Sequence, residues 1–273
     1  MEQIFVDTWD DFETRLAELE SDHQKRKNES PFLVSELLFR GQGNADWGLL
    51  TTMERFFARE VSLRYYYRLA LVAKPRIESF TNANWDTPIY KDYEEWLEKQ
   101  DDIFLANFPG YEYLAYLRHH GFPSPLLDWT ASSYIATFFA FNRPPADATH
   151  VAIFAYCERP GGGKIASGGQ ATIHSRGPYI QTHQRHFLQQ SQYTICTVRR
   201  NNELYYAPHE SVIERNDETQ DLLWKFYVPV AERRNVLRKL SRMNINAFSL
   251  FGSEDSLLET IATTDIMLKD RDL

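Results

Sequence analysis

Only two cysteines stand among the 273 residues, and no apolar run approaches the roughly 18 residues that cross a bilayer. Cys157 and Cys196 lie in apolar, strand-like stretches with no base close in sequence. They read as buried free thiols of a reducing cytosol rather than a disulfide or a nucleophile. The first twelve residues are acidic and lack the basic start and apolar centre of a signal peptide, so a cytoplasmic chain with no membrane association is expected. Basic residues are also in short supply. A net charge of −8 excludes a global attraction to nucleic acid or anionic lipid. One stretch poor in acids, with Arg185, Arg199 and Arg200, leaves a local basic groove open.

Familiar catalytic signatures are missing too. Gly161-Gly162-Gly163-Lys164 looks like a phosphate loop, but Glu158 stands where the first glycine belongs and Ile165 where Ser or Thr must follow the lysine. There is no G-x-S-x-G elbow and no H-E-x-x-H. His183 and His186 are spaced for one helical face but have no Cys or carboxylate beside them, so no metal is expected. Glu94-Glu95 and Asp101-Asp102 read as a solvated helical face.

What is abundant is aromatic: 15 Tyr, 18 Phe and 6 Trp, enough for thick interlayer packing and for stacking on a flat ligand. Apolar periodicity predicts strands at 3–6, 32–40, 126–129, 151–157, 193–198, 226–230 and 245–251. Helices are predicted at 9–20, 52–82, 90–108, 111–119, from Ala131 to Asn142, at 232–243 and after Ser253. Residues 21–30 read as a polar loop, and 158–184 as irregular. The order is not a regular β-α-β alternation. The expected fold class is therefore α/β (α+β), a mixed β-sheet core with surrounding helices, in a single domain over 1–273 without repeat or linker.

Three constellations carry candidate chemistry. In Leu38-Phe39-Arg40-Gly41-Gln42-Gly43 a guanidinium ends an apolar strand and glycines follow, so Arg40 suits a phosphate or carboxylate and Gly41 and Gly43, on either side of Gln42, let it approach the backbone. Pairing of Arg40 with an internal carboxylate such as Asp128 is the equal alternative. Around His119, Asp128, Trp129 and Thr130 a short strand runs into a helix; Asp128 and Thr130 either cap that helix or flank an anion at its start. Arg185, Gln189, Gln190 and Gln192 lead polar side chains into a strand, where amides satisfy buried backbone or read a ligand.

Together these segments resemble the FRG domain family, named for its Phe-Arg-Gly triplet. Phe39-Arg40-Gly41-Gln42 with Trp47, Leu49 and Arg55 matches its first block, and His119, Gly121, Pro123, Leu126 to Thr130, Phe139 and Ala140 its second. Arg185, Gln189, Gln190 and Thr194 match its third, and Tyr227 to Ala262, with Pro229 kept, its closing part. Pro125 stands where the family has Arg, His120 where it has Tyr and Gly252 where Pro is common, so any charge the family Arg gives to a ligand is missing here. The order of parts is also similar to the mono-ADP-ribosyltransferase fold. That weaker resemblance implies an NAD-dependent transferase, an effector of a bacterial toxin or phage-defence system. It implies Arg40, His119, Thr130, Gln189 and Gln192 as catalytic candidates, and Arg40, Gly41, Gln42, Asp128, Trp129 and Arg185 around the NAD cofactor. The carboxylate such a reaction needs is a Gln here, at Gln189 or Gln192, with Glu203, Glu210 or Glu214 as substitutes from the next segment. A non-catalytic module binding a nucleotide or nucleic acid, and a protein-interaction scaffold, are the alternative readings; the target and the oligomeric state stay open.

Overall fold

The computed structural model describes residues 1–100, 108–165, 169–177 and 184–269. His183, Asp101 and Asp102 lie outside the described residues. In chain order the elements are β1 (Glu2–Phe5), α1 (Trp9–Glu29), β2 (Leu38–Gln42), α2 (Thr52–Phe56), α3 (Leu63–Thr81), α4 (Tyr90–Glu98) and α5 (Tyr111–His119). β3 (Leu127–Thr130), α6 (Ser133–Asn142), β4 (His150–Cys157), β5 (Thr172–Arg176), α7 (Gln184–Leu188), β6 (Ser191–Arg200), β7 (Glu203–Tyr206) and α8 (Glu210–Ile213) follow. β8 (Leu222–Pro229), α9 (Arg233–Arg242), α10 (Ala247–Phe251) and α11 (Glu254–Ile261) complete the described chain.

Eight strands form one mixed sheet in the order β1-β8-β4-β2-β3-β6-β5, with β7 also on β6. Only β1 runs parallel to its neighbour; every other pair is antiparallel. This is the α/β class with a mixed sheet that the pattern predicts. α1, α6, α9 and α10 bury Trp9, Phe12, Phe141, Val236 and Leu250 against one part of the sheet. α3, α4 and α5 build a second, Tyr-rich core. There the Tyr67 and Tyr93 rings stack at 3.7 Å and 6°, a geometry worth about 0.5–1.5 kcal/mol beyond burial.

Several boundaries differ from the sequence reading. α1 continues through the polar stretch to Glu29, because Asp22–Lys25 and Gln24–Asn28 contacts and basic residues in the last turn support an exposed helix without an apolar stripe. β2 is confined to Leu38–Gln42 and takes in Gly41 and Gln42, expected as a turn. The helix expected over 52–82 is two, each with its own cap, Thr51 with Glu54 and then Ser62. Residues 247–251 are helical, not a strand, because Asn246 and Ser249 form a reciprocal capping box. The cap of α6 is Ser132, whose side chain accepts from the Ile135 N–H. Thr130 and Asp128 do not cap it; the Thr130 hydroxyl accepts from Ser132 N–H in the turn before.

Candidate functional site

β2 and β3 are neighbours through a single register pair, Phe39 with Thr130. β2 stays bonded to β4 along its whole length, and β3 to β6. The two strands therefore part after that pair, and Arg40 stands at the split. Its Nη1 donates to the Asp128 backbone oxygen at 2.8 Å and to Asp128 Oδ1 at 2.6 Å. Arg118, from the last turn of α5, donates to the same Oδ1 at 2.5 Å. Both arginines are mostly buried, whereas the Asp128 side chain is 43% exposed toward the opening. Burial alone would raise the Asp128 pKa, but Arg118 and then Arg40 outweigh it and hold the carboxyl far below the usual range. The internal pairing considered for Arg40 is present, and Arg40 still faces a cavity.

That cavity, about 390 Å³, is lined by five arginines (Arg40, Arg55, Arg118, Arg143, Arg185) against one carboxylate, Asp128. Arg143 is neutralised by Glu259 of α11 at 2.7 Å. No ion pair to Arg55 is present among the described residues. Burial lowers its pKa first, and then the nearby charges of Arg40 and Arg118 lower it further. The Nε–H groups of Arg40 and Arg118 are buried without a hydrogen-bond partner. Three guanidiniums thus crowd one carboxylate in a protein that is acidic overall, an arrangement that selects for an anion. Trp47, half-exposed, offers a ring at the cavity wall, and Phe39, Phe139 and Phe251 an apolar side.

Of the sequence candidates, Arg40, Gly41, Gln42, His119, Asp128, Trp129, Thr130, Arg185 and Gln189 line this cavity. Gln192 does not: it pairs with Trp129 across β3 and β6, one residue past the lining Ser191. Gly41 is not an open platform either. A Cβ there would lie 1.8 Å from the Ala136 carbonyl oxygen, so the glycine lets β2 touch the backbone of α6. Gln189 donates to the Leu250 carbonyl at 3.1 Å and ties α7 to α10. Glu203, Glu210 and Glu214 stay outside; Glu210 accepts from the Leu49 N–H at 2.9 Å and holds the loop after β2. Of the three arginines of the acid-poor stretch, Arg185 lies in α7, Arg199 is the ninth residue of β6, roughly 26 Å along the strand from Ser191, and Arg200 pairs with Glu60.

His119 lies in the wall with its Nε2 2.5 Å from the Tyr193 hydroxyl, which also sits 3.2 Å from His186 Nδ1. Burial is the main cause that drops the His119 pKa to about 4, so the ring is neutral near pH 7. Sequence reasoning missed Arg118, Asn142, Arg143 and Phe251. Arg118 directly precedes His119, but one position on a helix turns by about 100° and gives no spacing signal.

Residues 35–149 match the family model of the FRG domain. The chain carries an FRG domain. The matched stretch spans β2 to the α6–β4 turn and holds Arg40, Arg55, Arg118, Asp128 and Arg143. Arg185, Gln189, Ser191 and Phe251, which close the cavity, come from beyond it. No curated protein and no solved structure matches the chain. Among the described residues no helix is long and apolar enough to cross a membrane, and no group of His, Cys, Asp and Glu is placed to hold a metal ion.

Proposed function

We propose that the FRG domain cavity binds a phosphorylated nucleotide, with NAD the first ligand to test, and that the functional unit runs past residue 149 to include the residues that close the cavity. The observation that carries this is the Arg40–Arg118–Asp128 cluster with Arg55 beside it, which leaves an excess of two positive charges at the split between β2 and β3. That excess matches a dinucleotide pyrophosphate. Arg40 and Arg118 would supply positive charge to the phosphates from the cavity wall, Arg55 would neutralise the outer charge, and Trp47 would stack on a base.

Calorimetric titration with NAD, ADP-ribose and inorganic pyrophosphate at low salt tests the reading. All three are expected to bind. Arg55→Ala is expected to weaken each by about tenfold or more, since a charge-assisted hydrogen bond contributes about 1.5–3 kcal/mol. Arg55 is exposed and outside the core, so folding stability should change by less than about 0.5 kcal/mol. No heat with any of the three at millimolar concentration, or unchanged binding in Arg55→Ala, rejects the reading.

The split at Arg40 favours a second reading in which bound NAD is cleaved and its ADP-ribose transferred, the chemistry of a toxin or phage-defence effector. An oxocarbenium-like transition state needs a carboxylate nearby. Among the described residues Asp128 is the only carboxylate that lines the cavity, and two guanidiniums already hold it. Binding is therefore favoured over transfer. Release of nicotinamide from NAD that Asp128→Asn abolishes, together with toxicity on expression that Arg40→Ala relieves, would reverse that order.

A further inference from the structure

Another concavity, of about 560 Å³, is walled by α3 and by Phe56, Phe57, Phe122 and Pro123. Its α3 wall is Tyr65, Leu69, Val72 and Arg76, spaced four, three and four residues apart. That is the spacing of a helix seam, which packs against another helix. Among the described residues the seam has no partner: Phe56 is 69% exposed, Val72 59%, and Phe80, one turn beyond Arg76, 89%.

The charge around the groove narrows the occupant. No carboxylate lines it. Arg76 is exposed within it, and the Arg59 guanidinium lies 4.8 Å over the Tyr65 ring. Neither arginine has an ion pair among the described residues, although the chain as a whole carries a net charge of −8. We propose that the groove between α2 and α3 docks an amphipathic helix of a partner protein, with apolar residues at the complementary seam and carboxylates facing Arg59 and Arg76. From Tyr65 to Arg76 the seam is about 17 Å long, about three turns of such a helix. An arginine at each end of the apolar strip fixes which charge the partner must carry and sets the helix in register.

The test uses two fluorescein-labelled helical peptides that share leucines at four- and three-residue spacing and differ only in their flanks, one with Glu and one with Lys. Fluorescence anisotropy with the full chain at physiological salt is expected to give at least tenfold tighter binding of the Glu peptide. Val72→Glu and Arg76→Glu should each weaken it at least tenfold while circular dichroism and melting temperature stay unchanged, both positions being exposed. Arg76→Glu should also restore binding of the Lys peptide. Equal binding of the two peptides, or an unchanged affinity in Val72→Glu, overturns the proposal. So does a wild-type chain that sediments as a dimer which Val72→Glu dissolves, since a second copy would then fill the groove.

Discussion

Two clusters of buried opposite charge stand in this protein, and they are mirror images. At the split between β2 and β3, Asp128 is shared by Arg40 and Arg118. At the other cluster, Lys164 is shared by Asp221 at 2.7 Å and Glu158 at 3.2 Å, and it also donates to the Ile173 carbonyl. The first has a surplus of cation and opens on a cavity. The second has a surplus of carboxylate and is more deeply buried: its three side chains are 5%, 3% and 13% exposed. Glu158 further accepts from Ser175, and Asp221 accepts from the Tyr156 hydroxyl at 2.5 Å. Asp221 reaches the wall of a neighbouring concavity, but Lys164 and Glu158 do not line it, and the lysine is spent on both carboxylates and a carbonyl. It fastens the glycine-rich 161–164 segment onto β4, β5 and β8. In the arginine cluster all three members, Arg40, Arg118 and Asp128, line one cavity with a surplus of cation, and that difference in lining and charge separates the two clusters.

The sharpest way to break the comparison is Lys164→Met. Removing one partner of a buried pair costs about 3–5 kcal/mol, and here it leaves two carboxylates facing each other. Urea denaturation should show a loss on that scale, with pyrophosphate binding at the arginine cavity intact in the folded fraction. A loss below about 1 kcal/mol would make the two clusters equivalent.

Asp128→Asn is expected to do less to folding and more to binding. The carboxylate is half-open to water, so its removal should cost roughly 1–2 kcal/mol, between the limits for exposed and buried pairs. The amide leaves the surplus positive charge larger, and titration with pyrophosphate should show several-fold tighter binding. Weaker binding would mean that Asp128 matters chiefly by holding Arg40 and Arg118 in place.

How much of this was legible in the sequence follows the same division. Arg40, Asp128, His119 and Gln189 were readable because each sits in a compact block of unusual residues, and the strand-helix order around them gave the mixed sheet. The Arg40–Asp128 pair was readable as one of two alternatives, and the structure combines it with the cavity. Arg118 and Phe251 were not readable, since nothing in their spacing marks a residue brought in by tertiary packing. Residues 245–251 were taken for a strand because their apolar run is short, and a capping box between two polar residues, Asn246 and Ser249, outweighs it. The glycine-rich 161–164 segment looked like a flexible loop, because the acids that hold Lys164 lie at either end of a long separation, at Glu158 and Asp221.

Acid titration probes the clusters most finely, because an imidazole of lowered pKa stands beside each. Burial lowers the pKa of His119, at the arginine cavity, and of His174, near Lys164, each from 6.5 to about 4. As pH falls from 6.5, the unfolded chain binds these protons before the folded one does. Stability is therefore full above that pH and is lost progressively toward pH 4, by up to about 1.4 kcal/mol per pH unit for each ring. The neighbours differ. Asp128 lies near His119 and partly offsets the cost of its charge, whereas after burial the main influences on His174 are the cations Lys164 and Arg176. With both rings ending at about 4, His174→Gln and His119→Gln should flatten the stability profile between pH 6.5 and 4.5 to a similar extent, within about 1 kcal/mol of each other at pH 5.5. Urea midpoints across that range measure it. A dependence on His119 steeper by more than that would mean that the open cluster resists an added charge more strongly than the more deeply buried one, against the difference in exposure on which the comparison stands.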